Sequence, residues 1–587
     1  MTDAASDDIL HYYKRELSYL RTQGAEFAQR YPKVASRLAL HGTESLDPHT
    51  ERLIEATAFL AARVHRDLDQ TFPQVASLLL DNVCPSLVQP VPAMTVVQFD
   101  LDPAQGKVTA GFRVPRHTGL QVRTESGEAC RFRTAWDTTL WPVSITRARF
   151  TDDTMLALTL ECDESVDFSE LELTTLRIHL HGDWMVTMPL YELLVVGVTG
   201  VSVRPRDAAE RTLPATAWRE VGCGEEDNVL PRPANAQPAY GLMQEYFAFP
   251  RKFHFFDLTL PRGSLGRTRT CEVVLHLKRA QRGLGMLKAG HFALGCTPAI
   301  NLFSQTTEPV VLDRRHYEHR LVADQRREPM TEIHSIDSVT LSDPSADRSV
   351  TVPPFSAAGD VASEDVGMFW SARRERSMRA NLSGTDMYLS LVETGGASSR
   401  FAQPVVYAQV LCTNRRLAEQ VPVGARVSVE HVSNTAHVRC LYEPTVQRTP
   451  PLDGESLWQL VSLLTLNHGA LVSGATGRAQ LQQMLRLFAS GSAREHDQIR
   501  GLKSVQARSV TAYVGSDAWR GYCRGTEVAV EFDADAFVGG SPLLMGAVLA
   551  RFFALYTTVN SFVRLVVRRG DETWKQWEPM TGYQSLL

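Results

Sequence analysis

The stretch from Pro85 to Phe99, PSLVQPVPAMTVVQF, divides the chain into two kinds of secondary structure. Pro85, Pro90 and Pro92 fix their own φ at about −65° and push the preceding residues out of helical space, so an extended passage is expected. Directly after it, Thr95-Val96-Val97-Gln98-Phe99 reads as a strand. Upstream the apolar residues follow a different rule. Leu10, Tyr13, Leu17, Leu20, Phe27 and Tyr31, with Gly24 filling the gap, step by three and four, which is a heptad seam on a helix that Pro32 ends. Asp47-Pro48 opens a second helix, with Asp as cap and Pro at the first helical position. Its apolar face runs Leu53, Thr57, Leu60, Val64, Leu68, Phe72, and Pro73 follows; a short third helix is predicted over 74–83.

Beyond Met94 the strand pattern persists. The segments 155–160, 176–180, 252–260 and 271–277 read as strands, and a long loop is expected near 204–239, where Pro and Ala are frequent. Residues 342–365, with Pro344, Pro353, Pro354 and many small polar side chains, read as a linker. After Pro450-Pro451 helix and strand alternate: 456–472 and 478–488 helical, 503–514 and 527–532 extended, 543–561 helical, 562–568 extended. The expected fold is therefore α+β and multidomain, with N-terminal helices, β-rich middle domains and a mixed α/β C-terminal domain. The boundaries expected are 1–92, 93–341, 342–450 and 451–587.

Composition bounds the function. The 587 residues suggest several domains, and 44% hydrophobic with 22% charged residues is ordinary globular usage. A net charge of −5 on such a length gives no basic stripe for nucleic acid. The nine cysteines are odd in number and widely spaced, a pattern of reduced thiols in a cytosol rather than of a disulfide framework. The acidic start shows no signal peptide. The apolar segments 456–477 and 541–563 are read as buried helices. The first is broken by Asn467-His468-Gly469, and the second would place Arg551 at a bilayer centre, at about 2.5–3.5 kcal/mol.

Catalytic patterns are missing: the chain has no G-x-S-x-G, Walker A, H-E-x-x-H or EF-hand sequence. Gly283 and Gly285 begin a dinucleotide loop that Lys288 spoils. His179 and His181 lie on one face of a strand, half of a zinc site at most, and His316 with His319 lack a second ligand pair. No catalytic residue, cofactor or metal is expected. The surfaces marked for protein contact are the seam Leu10, Tyr13, Leu17, Leu20, Phe27, Tyr31 and the indoles Trp574 and Trp577.

Four landmarks, in order along nearly the whole chain, carry a resemblance. They are HYYKRELSYL (His11–Leu20) with GAEFAQRYP (Gly24–Pro32), DPHTERLIEA (Asp47–Ala56) and FLAAR (Phe59–Arg63); YFAFP (Tyr246–Pro250) with Lys252-Phe253 and Phe255-Phe256-Asp257; IDSV (Ile336–Val339); and GAVLARFFALY (Gly546–Tyr556) with Asn560-Ser561-Phe562 and Trp577-Glu578-Pro579. Together these resemble the TssF family, the baseplate wedge subunits of the bacterial type VI secretion system. Cys223 and Arg232-Pro233 depart from the family pattern. The resemblance implies a structural protein that assembles with TssG, TssK, TssE, the VgrG hub, sheath proteins and a second copy of itself, cytoplasmic and docked at the inner-membrane complex. A wedge protein of a phage tail or related injection machine is the alternative, and a hydrolase or metal enzyme a distant one.

Overall fold

The computed structural model describes residues 3–31, 33, 40–41, 44–45, 48–102, 107–232, 238–278, 287–313, 315–345, 347–355, 367–379, 382–393, 404–430, 436–464, 474–514, 521–555, 557–558, 561–570 and 572–582. Two helices open it, α1 (Asp3–Arg30) and α2 (Pro48–Val83), joined through a small ladder of Leu40–His41 against Glu44–Ser45. They pack on one another. Arg21 reaches Glu51 across the pair at 2.5 Å. The separate third helix expected over 74–83 is instead the end of α2, which continues through Pro73. Pro73 lacks only one donor, and tertiary packing of Ala76 and Leu80 holds the following turns in register.

The β-rich body starts where the prolines end. Met94–Leu101 lies in a closed six-stranded barrel, in the order 296–300, 94–101, 436–440, 426–429, 119–123, 129–134. Val97, Phe99, Leu120, Val122, Phe132 and Val438 fill it. The barrel thus takes strands from both sides of position 342. Two further sheets occupy the middle, 218–221/255–259/175–180/292–293 and 211–214/198–205/270–277/155–162/143–152. A third unit is a sandwich, with 332–343 and 405–413 central in one sheet and 368–376, 385–393 and 318–321 in the other. Its core is Leu321, Val339, Leu341, Leu389, Val406 and their neighbours.

Two loops expected from composition are corrected here. The 204–239 segment contains the end of Val198–Pro205, the strands Arg211–Pro214 and Trp218–Val221, and the start of the helix Pro238–Ala248. Trp218 stacks on Phe256 at 5.0 Å, so burial of one aromatic overrides the local Pro and Ala bias. The 342–365 segment contains Arg348–Val352, which pairs with the end of Glu332–Asp343 as a hairpin, and 356–366 lies outside the described residues.

At the C-terminus, Gly521–Phe532 and Phe562–Arg569 run parallel with the helix Pro542–Leu555 crossing between them, the βαβ alternation expected from the pattern. The helix stops six residues before the end expected at Ser561. It is buried from Pro542 to Ala554 apart from Arg551, whose guanidinium donates to the Ala547 carbonyl at 2.9 Å. Among the described residues no helix is long and apolar enough to cross a membrane. All nine cysteines are free, seven of them buried.

Candidate assembly surface

The landmark around Tyr246 lies in the buried interior. Helix Pro238–Ala248 runs through a 3-10 turn, Pro250–Phe253, into the strand Phe255–Thr259, and nearly every side chain along it is buried. Glu245 accepts from the backbone N–H of Val229 and of Leu230, both at 2.7 Å, and pairs with the Lys252 ammonium. Both side chains are cut off from water, so each ion is tolerable only because the other is there. Asp257 holds Arg177 through two bonds of 2.8 and 2.9 Å. Arg177 and Asp257 tie neighbouring strands of one sheet, and Glu245 and Lys252 stand in the wall of a cavity that Cys223, Leu242 and Arg551 also line.

The histidines marked by sequence are likewise tied to neighbours. His179 Nε2 and His181 Nδ1 both lie 3.0 Å from the Tyr442 hydroxyl, which can donate to one and accept from the other. The Arg251 guanidinium covers the Tyr442 ring at 3.6 Å and Trp184 at 4.3 Å. Burial and neighbouring cations depress His179, His181 and His254, the last to about 3, so they stay neutral joints between sheet, barrel and C-terminal domain. His316 pairs with Asp313 at 2.8 Å on the surface, away from this cluster. No group of three or more His, Cys, Asp or Glu suited to a metal is present among the described residues.

A second buried network anchors the sandwich and α2. Glu332 accepts from Thr385 through backbone N–H (2.8 Å) and hydroxyl (2.5 Å), and from Gln447 at 2.8 Å. Gly384 has φ of 110°, and a Cβ there would stand 2.4 Å from the Glu332 carboxylate. Arg374 donates to the carbonyls of Ile333 and His334. Near it lies Asp81 of α2, whose carboxyl burial pushes up to about 6 while Arg374 pulls it down.

The surface left over for partners is on the helical pair. On α2, Ala58, Ala62, Ala76 and Leu80 are buried. The opposite stripe is not: Leu53, Leu60 and Val64 are 68, 62 and 56% exposed, and Val75 and Leu78 continue it. At 100° per residue these fall on one side of the helix, the only apolar stripe of this length left open among the described helices. The seam expected on α1 is divided. Tyr13, Leu17 and Leu20 are half-buried, Phe27 and Tyr31 are exposed with rings 5.3 Å apart, and the Leu10 side chain lies outside the described set. Periodicity marked both helices equally; only burial shows which stripe stays open.

The C-terminal indoles separate as well. Trp577 is 5% exposed and belongs to the core of the chain. Gly546 exists for it, since a Cβ there would stand 2.7 Å from the Trp577 ring. Trp574 is half-buried, packs against that core, and carries the Arg569 guanidinium at 5.5 Å. Together these features describe a large α+β scaffold with buried ion pairs and an open helical stripe.

Comparison with known proteins makes this specific. The family profile of TssF of the type VI secretion system matches residues 5–584. The chain belongs to the TssF family. It is 34% identical to the type VI secretion system component TssF1 of Pseudomonas aeruginosa, with 99% of each chain aligned. Two solved structures share the fold. A chain of the TssK-TssF-TssG baseplate subcomplex has a TM-score of 0.74 at 22% identity, over 92% of this chain and 99% of that one. A chain of the type VI baseplate complex has a TM-score of 0.60 at 20% identity, over 97% and 99%.

Proposed function

We propose that this chain is a structural wedge component of a type VI secretion baseplate that acts by binding other proteins and performs no reaction of its own. Family membership along the whole chain supports the baseplate role and favours it over a phage tail wedge. The observation that carries the binding role is the open stripe of α2, beside the half-open seam of α1. A helix with one face packed and the opposite face apolar completes its burial in a bundle with other helices. TssG and TssK are the first partners, because solved relatives of this fold come from a TssK-TssF-TssG subcomplex. TssG is assigned to the helical surface. TssE, the VgrG hub, sheath proteins and a second copy follow from the resemblance, as does docking from the cytoplasm at the inner-membrane complex.

Co-expression with TssG and TssK from the same bacterium tests this. A stable complex containing all three chains is expected on size exclusion. Chains that elute apart, each folded, would end the proposal.

A further inference from the structure

The cavity walled by Glu245 and Lys252 holds about 910 Å³ and lies between the helices Pro238–Ala248 and Pro542–Leu555 and the strand Met580–Thr581. That is the size of a site for one small organic molecule. Much of its wall is apolar, with Leu230, Ala239, Leu242, Ala554 and Leu555. Gly241 widens it, since a Cβ added there would meet no atom within 4 Å. Glycine is a poor helix residue, and no neighbour requires it at this position.

The rest of the wall is charged, and the charges do not cancel. Glu245 spends one oxygen on the N–H groups of Val229 and Leu230 and the other on Lys252. The Lys252 ammonium has three N–H groups, so two are left without an acceptor among the described residues. Arg551 donates to the Ala547 carbonyl of its own helix and reaches no carboxylate among the described residues. Both cations act on the Cys223 thiol between them in the lining, pulling it down while burial pushes it up. Two cations therefore stand against one carboxylate in a partly desolvated wall, an imbalance that a bound anion relieves. The other charged lining residues, Glu225, Arg232 and Glu578, are exposed to solvent, which screens them. Cys223 and Arg232, two of the positions where the chain departs from the TssF pattern, both line this one cavity.

We propose that the cavity binds a monoanionic amphiphile, a carboxylate on an apolar body. The carboxylate accepts from the spare N–H groups of Lys252 and Arg551, and the body lies along Leu230, Leu242 and Leu555. One excess positive charge calls for one negative charge, which favours a carboxylate over a phosphate dianion. The site is separate from the α2 stripe, so this inference and the partners assigned there can fail independently.

The test uses the full chain with Cys523→Ala, which leaves Cys223 as the one thiol that is not buried. Decanoate, kept below the concentration at which it forms micelles, is the probe. It is expected to slow the alkylation of Cys223 by iodoacetamide, read by mass spectrometry, and to raise the melting temperature. Decanol and decylamine should protect about tenfold less well at equal concentration. Arg551→Met should weaken the protection by about tenfold, and Arg551→Lys should restore most of it. Gly241→Leu fills the space and should remove both effects of decanoate, while the variant itself melts no lower than the parent. Equal protection by decanol overturns the proposal, as does protection that persists in Arg551→Met or in Gly241→Leu. So does a melting temperature that decanoate leaves unchanged.

Discussion

Two regions of this chain have similarly strong apolar patterns and opposite fates. Helix Pro542–Leu555 and the turn around Phe255 bury their apolar residues from every side. Helix α2 buries Ala58, Ala62, Ala76 and Leu80, and leaves Leu53, Leu60 and Val64 outside. The difference is where the charges sit. In the hub the ions pair internally, Glu245 with Lys252 and Asp257 with Arg177, and close the region upon itself. On the helical pair Arg15 pairs with Glu16 and Arg21 with Glu51, and these pairs leave the large apolar side chains uncovered. The hub is closed within one chain; the helical pair leaves an apolar stripe open.

The strongest way to break this contrast is at the hub. Lys252→Met leaves Glu245 buried without its cation, and is expected to cost about 3–5 kcal/mol of stability. Pairing it with Glu245→Gln should return part of that loss, because no charge then remains unmatched. Chemical denaturation of both variants checks this; equal losses would mean the ion pair is not what holds the turn.

A second experiment compares the two helix faces. Leu60→Asp with Val64→Asp lies on the open stripe and should leave the melting temperature of the isolated chain almost unchanged. It should still cost TssG binding about 4 kcal/mol, close to a thousandfold. Leu17→Asp with Leu20→Asp strikes half-buried positions and should lower the melting temperature as well. If both pairs depress melting equally and binding persists, the open stripe is not the contact.

A smaller effect concerns Asp81. Its carboxyl titrates at about 6 in the folded chain against a usual 3.8, so the folded state favours the protonated form. The stability this contributes is complete below about pH 3.8 and is lost as pH rises through 6. Asp81→Asn should therefore melt higher than the wild type at pH 7.5, by on the order of 1 kcal/mol, with the gap closing towards pH 4. A gap that does not change with pH would remove Asp81 from the account. The smallest effect expected is none: a chelator should leave melting and assembly unaltered, and metal analysis after a chelator wash should find no stoichiometric zinc or iron.

Local chemistry made much of the molecule legible. The proline cluster at 85–92 marked the change from helix to strand, and helix and strand periods named most elements on either side. The candidate contacts were legible only in part. An apolar stripe looks the same in sequence whether a neighbour covers it or not, so Leu17 and Leu60 could not be told apart. Nor could Trp574 and Trp577, three residues apart, the first half-buried and the second buried.

What the sequence by itself determined is the order and kind of elements, because these follow from φ restriction at proline and from side-chain period along a few residues. Only the tertiary structure decided which strands close the barrel, since 94–101 meets 436–440 across more than three hundred residues that carry no local mark of the pairing. It also decided that 204–239 is ordered by Trp218 on Phe256, and that α2 rather than α1 keeps the more open stripe. Burial is a property of neighbours distant in the chain, and no local pattern contains it.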